Sequence, residues 1–514
     1  MRDYTGHWRN GQRIGPQGEK LDLKMGFRQR AERRAIGIVL RQSGRIFRFA
    51  IVLLAIVVVF LPSPSARAQS GGRKTFNLPE AIQFAQKNYP AVRAALERVQ
   101  AARAGVSLAR TSYLPRTDAL WQSNRSTRNN IFGLLLPQSV ISPISGPVLP
   151  STSNESVWGS AAGLLFSWEP FDFGYRRATV DAARATQDRS TAEAGVTHLQ
   201  IAVAVTNAFL TLLAAEQTVR AAQADADRRK VFAKAVHTLV DNQLRPGADA
   251  SRADAELARA QIGLYRAQQQ VGVSRAILAE TLGIAGTDVE IKPGPFFDPP
   301  PPAALPALAA SQHPEAMAQQ ARVDEFRSQV QVLDKSYYPR FDLQSTVYGR
   351  GSGANPDGSV ASGLNGLGLD RANWAAGLTV TFPLFDIFAI RARKQIALSN
   401  EQAETARYDQ TIQELTGQYE QARAALKGAQ RVAGETPVEL RAAHETEIQA
   451  TARYTAGLAT VVEVAEAQSL LVQADIDNAL ARLAVWHNLA SVAAAEGNLE
   501  PFMQLVRQES PGGK

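Results

Sequence analysis

No proline occurs in residues 171–245, a stretch dominated by Ala, Arg, Glu, Gln, Leu and Val. Those residue types sum to a strong helical preference. At about 1.5 Å per residue, one helix over the whole stretch would be on the order of 110 Å long. Helices in globular cores average about 10–14 residues, so this run excludes a small compact fold and demands a packing partner along most of its length. Residues 384–436 and 438–500 are also free of proline. Pro437 between them, preceded by Gly434, predicts a kink or break. Residues 194–215 are uncharged but contain His198, Gln200, Thr206, Asn207 and Thr211. Burial against neighbouring helices suits them better than crossing a membrane.

The same landmarks appear twice, which marks an internal duplication. Asn88-Tyr89-Pro90-Ala91 answers to Gln312-His313-Pro314-Glu315, and Ser112-Tyr113-Leu114-Pro115-Arg116 to Ser336-Tyr337-Tyr338-Pro339-Arg340. Phe171-Asp172 then matches Phe385-Asp386, and Gly247 matches Gly457. Each half reads as helix, strand, loop, strand, long helix, turn, helix. The boundaries are a leader (1–68), a first repeat (69–292), a Pro-rich linker (293–306), a second repeat (307–500) and a C-terminal tail (501–514). In the first repeat a helix over 90–111 precedes strands 117–125 and 157–168 and a helical hairpin, 171–283. In the second, strands 341–348 and 374–382 precede the hairpin 384–497. The strand connections are an uncharged, proline-bearing loop (129–153) and a Gly-rich loop (349–368). Gly247 and Gly457 at the hairpin turns suit helix C-caps.

The second strand of each pair alternates. Trp158, Ala162, Leu164, Phe166 and Trp168 share one face, as do Trp374, Ala376, Leu378, Val380 and Phe382; small residues fill the other. Trp374 to Phe382 covers about 26 Å at roughly 3.3 Å per residue. That is the height of the apolar band of a transmembrane β-barrel, with Trp158, Trp168, Trp374 and Phe382 as its aromatic girdle. Four strands cannot close a barrel, and hydrocarbon does not tolerate open sheet edges. Oligomerisation follows, and three copies give twelve strands.

The leader carries the basic excess. Residues 1–68 hold 13 of the 56 Lys and Arg but 4 of the 48 Asp and Glu. The remainder is close to neutral, which argues against a nucleic-acid partner. Arg41, Arg45 and Arg48 precede the apolar run 49–61, then Pro62, Pro64 and Ala66-Arg67-Ala68, the pattern of a secretory signal cleaved after Ala68. Retention of the run as an anchor is the alternative. Chemical motifs are missing: there is no Cys, the six His never fall at metal-ligand spacing, and no phosphate-binding loop occurs. No catalytic residue, cofactor or metal site is expected, and the chain reads as a non-enzyme.

The ordered duplication resembles the TolC-like outer-membrane efflux family. It is carried by the helix starts at Pro90 and Pro314, the two Ser-Tyr-x-Pro-Arg segments, Phe171-Asp172-Phe173-Gly174 and Phe385-Asp386. The tips Gly247-x-x-x-Ser251 and Tyr454-x-x-Gly457-x-x-x-Val461-x-Glu463-Val464 complete it. The resemblance covers residues 78–500. It implies a mainly α protein with a transmembrane β-barrel, namely a homotrimer whose twelve-stranded barrel, set in outer-membrane lipid, continues into a long α-helical periplasmic tunnel. It implies a channel-tunnel of a tripartite efflux or secretion system. Its tips, at Arg245, Pro246, Gly247, Ala456, Gly457 and Leu458, would dock a periplasmic adaptor coupled to an inner-membrane pump of RND or ABC type. The periplasmic gate would use Tyr454 and rings of Glu463 and Glu466. The family's polar latch is altered, because Ala459 replaces its Arg and Arg252-Ala253 replace its Thr-Asp pair. Contact around Leu458, or Arg252 paired with Glu463, is the expected substitute. The alternatives are an inner-membrane-anchored adaptor, which would need one hairpin and compact β-domains, or a structural coiled-coil envelope protein, for which Trp-ended strands have no use.

Overall fold

The computed structural model describes residues 74–127, 154–298, 300, 308–355 and 359–508. The leader and its cleavage site, the 129–153 loop and most of the Pro-rich linker lie outside them. A short strand β1 (Lys74–Phe76) leads into α1 (Leu78–Asn88) and α2 (Pro90–Thr111). Strands β2 (Arg116–Thr127) and β3 (Ser156–Phe171) follow, then the long α3 (Tyr175–Asp241), α4 (Gly247–Thr281) and β4 (Val289–Ile291). The second repeat comprises α5 (Pro314–Lys335), β5 (Arg340–Ser352), β6 (Arg371–Thr381), α6 (Asp386–Thr455) and α7 (Val461–Ala495), and α8 (Glu500–Gln508) closes the chain.

Local chemistry sets these boundaries. Asn77 and Glu80 form a reciprocal capping box at the start of α1. The expected long helix starts four residues later than Phe171 because β3 continues through that residue. The Asp172 carboxylate then accepts from the backbone of Gly174 (3.1 Å) and Arg176 (2.7 Å), and Gly174 takes the left-handed conformation (φ 88°) that opens the helix. At its other end α3 stops at Asp241, short of Arg245. Pro437 does not break α6, which runs through it without interruption. That turn is exposed at Gly434 and Glu435, where water can take the carbonyl that proline leaves free.

Helix α3 packs against α1, α2, α4, α5 and α7. Its uncharged segment is buried as expected: Ala202, Val205, Phe209, Leu212 and Leu213 join the largest core, with Thr206 back-bonded to the Ala202 carbonyl at 2.8 Å. The same core holds Phe296, Trp486 and Phe502, with Trp486 Nε1 donating to the Asp298 carbonyl at 2.9 Å. Strands β1 and β4 pair in parallel beside it. Residues 501–508 are therefore no free tail; α8 docks there through Phe502, Met503 and Val506.

The repeats show in how their shorter helices meet. Gly283 (φ 75°), just past α4, sits against Tyr89 and Pro90 at the start of α2; Gly497 (φ 82°), just past α7, sits against His313 and Pro314 at the start of α5. Each pair thus stacks end to end alongside one long helix. His313 is buried at the second joint, accepting from the Glu315 amide through Nδ1 and facing the Ala494 carbonyl with Nε2.

The four longer strands form one antiparallel sheet in the order β2-β3-β5-β6. They exceed the expected bounds at nearly every end. Gly349 and Gly351 belong to β5 rather than to the loop, and the connection folds back so closely that a Cβ on Gly351 would collide with the Gly368 carbonyl. Alternation divides the sheet into two unlike faces. Trp121, Leu164, Trp168, Val347, Trp374, Leu378 and Val380 lie exposed on one. The other carries Gln122, Asn124, Asp342, Gln344, Thr346, Tyr348, Asn373 and Thr379. Among the described residues, β2 and β6 have no strand partner along their outer edges.

Candidate functional site at the hairpin tips

The two helical hairpins turn close together. After α3, Gln243 adopts φ 55°, and Leu244 N–H donates to the Leu239 carbonyl at 2.8 Å, closing the helix end. Gln243, not Gly247, therefore occupies the left-handed C′ position; Gly247 is the first residue of α4. At the second turn the expected role holds, with Gly457 at φ 79° and Leu458 N–H donating to the Arg453 carbonyl at 2.8 Å. Pro246, Gly247, Ala456 and Gly457 are exposed at the turns, as are Leu244 (68%) and Leu458 (70%).

Tyr454 joins the tips. It is 1% exposed, in a core with Ala233 and Val236 of α3, Ala250 and Ala253 of α4, and Val461 and Val464 of α7. Its hydroxyl donates to Asp249 Oδ2 at 3.1 Å. Arg245 donates to the Tyr454 carbonyl at 2.6 Å and lies over the ring at 4.4 Å. Burial, with the Asp249 carboxylate beside it, pushes the Tyr454 phenol up to about 12. Arg245, Asp249 and Tyr454 thus clamp the first hairpin tip to the second within one chain.

The expected substitutes for the altered latch are absent from this chain's contacts. Arg252 pairs with Glu256 of its own helix at 3.3 Å rather than with Glu463, and Leu458 stands outside the tip core. Glu463 caps α7: Thr460 N–H donates to its Oε1 at 3.0 Å and its own amide donates to Thr460 Oγ1. The Thr460 amide bond holds its carboxyl below the usual range. Glu466 lies one turn on and is exposed.

Further along the hairpins, a buried ionic layer ties three helices. Arg229 of α3, 5% exposed, donates to Asp225 (3.0 Å), Glu256 of α4 (3.1 Å) and Ser469 of α7 (3.0 Å). Neighbouring Arg228 pairs with Asp475 of α7 at 3.3 Å. Burial raises the Asp225 carboxyl, with Arg229 opposing it. Neither this layer nor Asp249 was apparent in the sequence; a charged residue recurring inside an Ala-rich helix was the available signal.

At the sheet, Trp168 and Trp374 stand exposed on the apolar face and Trp158 is partly covered on it, with Arg125 over its ring at 5.6 Å. Phe382 follows β6 directly and is exposed. Trp121, 79% exposed on the same face, belongs with them. Phe171, Phe173, Tyr338 and Phe341 cluster at the helical end of the strands.

Residues 81–284 and 305–498 match the family described as outer membrane efflux protein. Protein CyaE of Bordetella pertussis is 27% identical over 408 residues, covering 76% of this chain and 78% of that protein. The pyoverdine export outer membrane protein OpmQ of Pseudomonas aeruginosa is 23% identical over 407 residues, covering 78% and 81%. Among solved structures, the outer membrane protein VceC of Vibrio cholerae has the same fold, with a TM-score of 0.64 at 18% identity over 82% of this chain and 96% of that one.

Proposed function

This chain belongs to the outer membrane efflux protein family, and from that premise we propose that three copies of it close a single channel. It is an outer-membrane efflux channel protein with a helical periplasmic tunnel. The observation that carries the trimer is the four-stranded sheet, apolar on one face and polar on the other, with both edges unpaired among the described residues. In lipid those edges must be satisfied. Pairing β2 of one copy with β6 of the next is a head-to-tail contact, which closes into a ring. Three copies supply twelve strands, a number that leaves an aqueous bore lined by the polar face.

Cargo passes without chemical change, so the chain serves as a conduit wall and not as an enzyme. The exposed turns at Arg245, Pro246 and Gly247 and at Ala456, Gly457 and Leu458 receive a periplasmic adaptor, which delivers cargo from an inner-membrane pump of the RND or ABC type. The Arg245–Asp249–Tyr454 clamp holds the tip closed in the resting state, and adaptor binding competes with it. Glu466, repeated three times, places carboxylates at the narrow end and favours cations there. Glu463 adds to that ring while its cap persists.

Heat-modifiable migration tests the assembly. The expected result is a species of three chains in the outer-membrane fraction that collapses to one on boiling. A single-chain species in that fraction would refute the trimer.

A further inference from the structure

A recess opens between α3 and α6 where the end of α7 abuts α5. It encloses about 680 Å³, within the ordinary size of a small-molecule site. On α7 the side chains of Trp486, Leu489 and Ala493 turn to one side, into the core that holds Phe296 and Phe502. At 3.6 residues per turn, Asn488, Ser491 and Ala495 fall on the opposite side, and all three line the recess. It therefore faces away from the layer of β1, β4 and α8 that thickens the wall. Small side chains make the room. Ala490, Ala494 and Ala495 form its α7 floor. Aligning the repeats on Gly283 and Gly497 sets Ser491, Ala494 and Ala495 against Ile277, Glu280 and Thr281 of α4, so the first repeat carries larger side chains at the equivalent joint.

Gln200 and Asn207 of α3 and Gln418 and Gln421 of α6 line the flanks. None of these carboxamides makes a hydrogen bond to another described residue. Elsewhere on the same helices, Gln223, Gln410 and Gln473 each donate to an acid four residues on, at 3.1, 2.7 and 2.9 Å. Gln200, Gln418 and Gln421 instead have Ala204, Ala422 and Ala425 at that position, which leaves their donors and acceptors open to the recess. Among the described residues that line it, the ionisable ones are Glu315 and His313. His313 is occupied, with Nδ1 accepting from the Glu315 amide and Nε2 facing the Ala494 carbonyl.

We propose that this recess is a binding site for uncharged cargo, holding amide groups or paired hydroxyls between the carboxamides and the alanine floor. A carboxamide presents a donor and an acceptor side by side, which matches groups that do the same. An isolated charge would be desolvated there with little to compensate it. The inference rests on the channel reading above, because this side of the wall meets cargo only in a closed tunnel. Gln200 lies roughly 38 Å along α3 from Tyr175 at 1.5 Å per residue, so cargo reaches the recess midway between tip and sheet. The acidic tip then acts on charge, and the recess acts on hydrogen-bonding groups.

The test titrates the purified full chain in detergent with two neutral probes, maltotriose and N-acetyl-alanyl-alanine amide, followed by saturation-transfer NMR. Binding of maltotriose alone would assign the site to hydroxyl-bearing cargo, and binding of the capped dipeptide alone to amide-bearing cargo. The free-acid and free-amine forms of the dipeptide should bind on the order of tenfold more weakly than the capped form. Asn207→Ala/Gln421→Ala should weaken neutral-probe binding on the order of tenfold. Ser491→Ile, which puts the first repeat's side chain into the recess, should abolish it. In planar bilayers the bound probe should interrupt the current of parent pores and leave Ser491→Ile pores uninterrupted. Neutral probes that bind both variants as tightly as the parent would overturn the proposal. So would a charged form of the dipeptide binding more tightly than the capped one, or a parent that binds neither neutral probe. Binding without any conducting pore would uphold the recess and refute the channel reading instead. Should the double variant not assemble, Ser491→Ile alone carries the comparison.

Discussion

Tyr454→Phe isolates the polar part of the tip clamp. The phenyl ring keeps its place against Phe232, 5.3 Å away between centroids, and beneath the Arg245 guanidinium. Only the hydroxyl that donates to Asp249 is lost. A hydrogen bond to a charged acceptor contributes about 1.5–3 kcal/mol; Asp249 is half-buried, so the lower half of that range applies. The closed state should lose about 1.5 kcal/mol, which raises the open-to-closed ratio roughly tenfold. Single-channel recording of the reconstituted protein reads this directly as open probability. Asp249→Asn should do nearly the same, since a neutral amide accepts less strongly. The pH dependence has a definite sign. Tyr454 titrates higher in the folded protein than in the unfolded chain, so its contribution is complete below the ordinary value near 10 and is lost as pH rises through about 12. Of the 11 tyrosines, one should therefore ionise late in an ultraviolet titration, and that phase should vanish in Tyr454→Phe. Open probability in Tyr454→Phe equal to the parent's would refute the clamp.

Three further outcomes are expected. Arg229→Ala leaves Asp225 and Glu256 buried without their shared partner and should cost about 3–5 kcal/mol, seen as a lower Tm in detergent. Leu378→Arg, on the apolar face midway between Trp374 and Phe382, should cost about 2–4 kcal/mol for insertion into lipid, whereas Thr379→Arg on the opposite face should insert normally; refolding into vesicles separates the two. His237 donates through Nε2 to an Asp254 carboxylate oxygen at 2.9 Å, and this contact raises its pKa above the ordinary 6.5. The tie between α3 and α4 is strongest below the unfolded value and fades as pH rises through the raised one, so amide exchange near His237 should quicken over that interval, and His237→Asn should remove the change.

Helix content, duplication and strand faces were legible in the sequence because each depends on periodicity. Pro90 and Pro314 mark helix starts that the fold reproduces, and Trp374 to Val380 alternates as expected. Positions that depend on a side chain's partner were not legible. The start of α3 moved to Tyr175 because Asp172 caps it, and the C-terminal residues became α8 because Phe502 and Met503 find a distant pocket beside Trp486. The clamp shows the limit most clearly. Aligned motifs placed the latch partner at Arg252-Ala253, yet the acid used is Asp249. Asp249 and Ala253 are four apart and share one helical face, so an acid one turn nearer the tip still reaches Tyr454. Motif spacing cannot reveal such a shift.

The joints at Gly283 and Gly497 have a mechanical consequence. Each repeat carries one unbroken rod, α3 or α6, running from the sheet to the tip, beside a rod made of two pieces that merely abut. Torque applied at a tip can be absorbed by swivelling at the abutment, where no covalent backbone crosses, but the unbroken rod has no such freedom. Twist generated at the tip therefore reaches the sheet along two helices per chain, and the jointed rods let the lower wall reshape while the upper wall keeps its register.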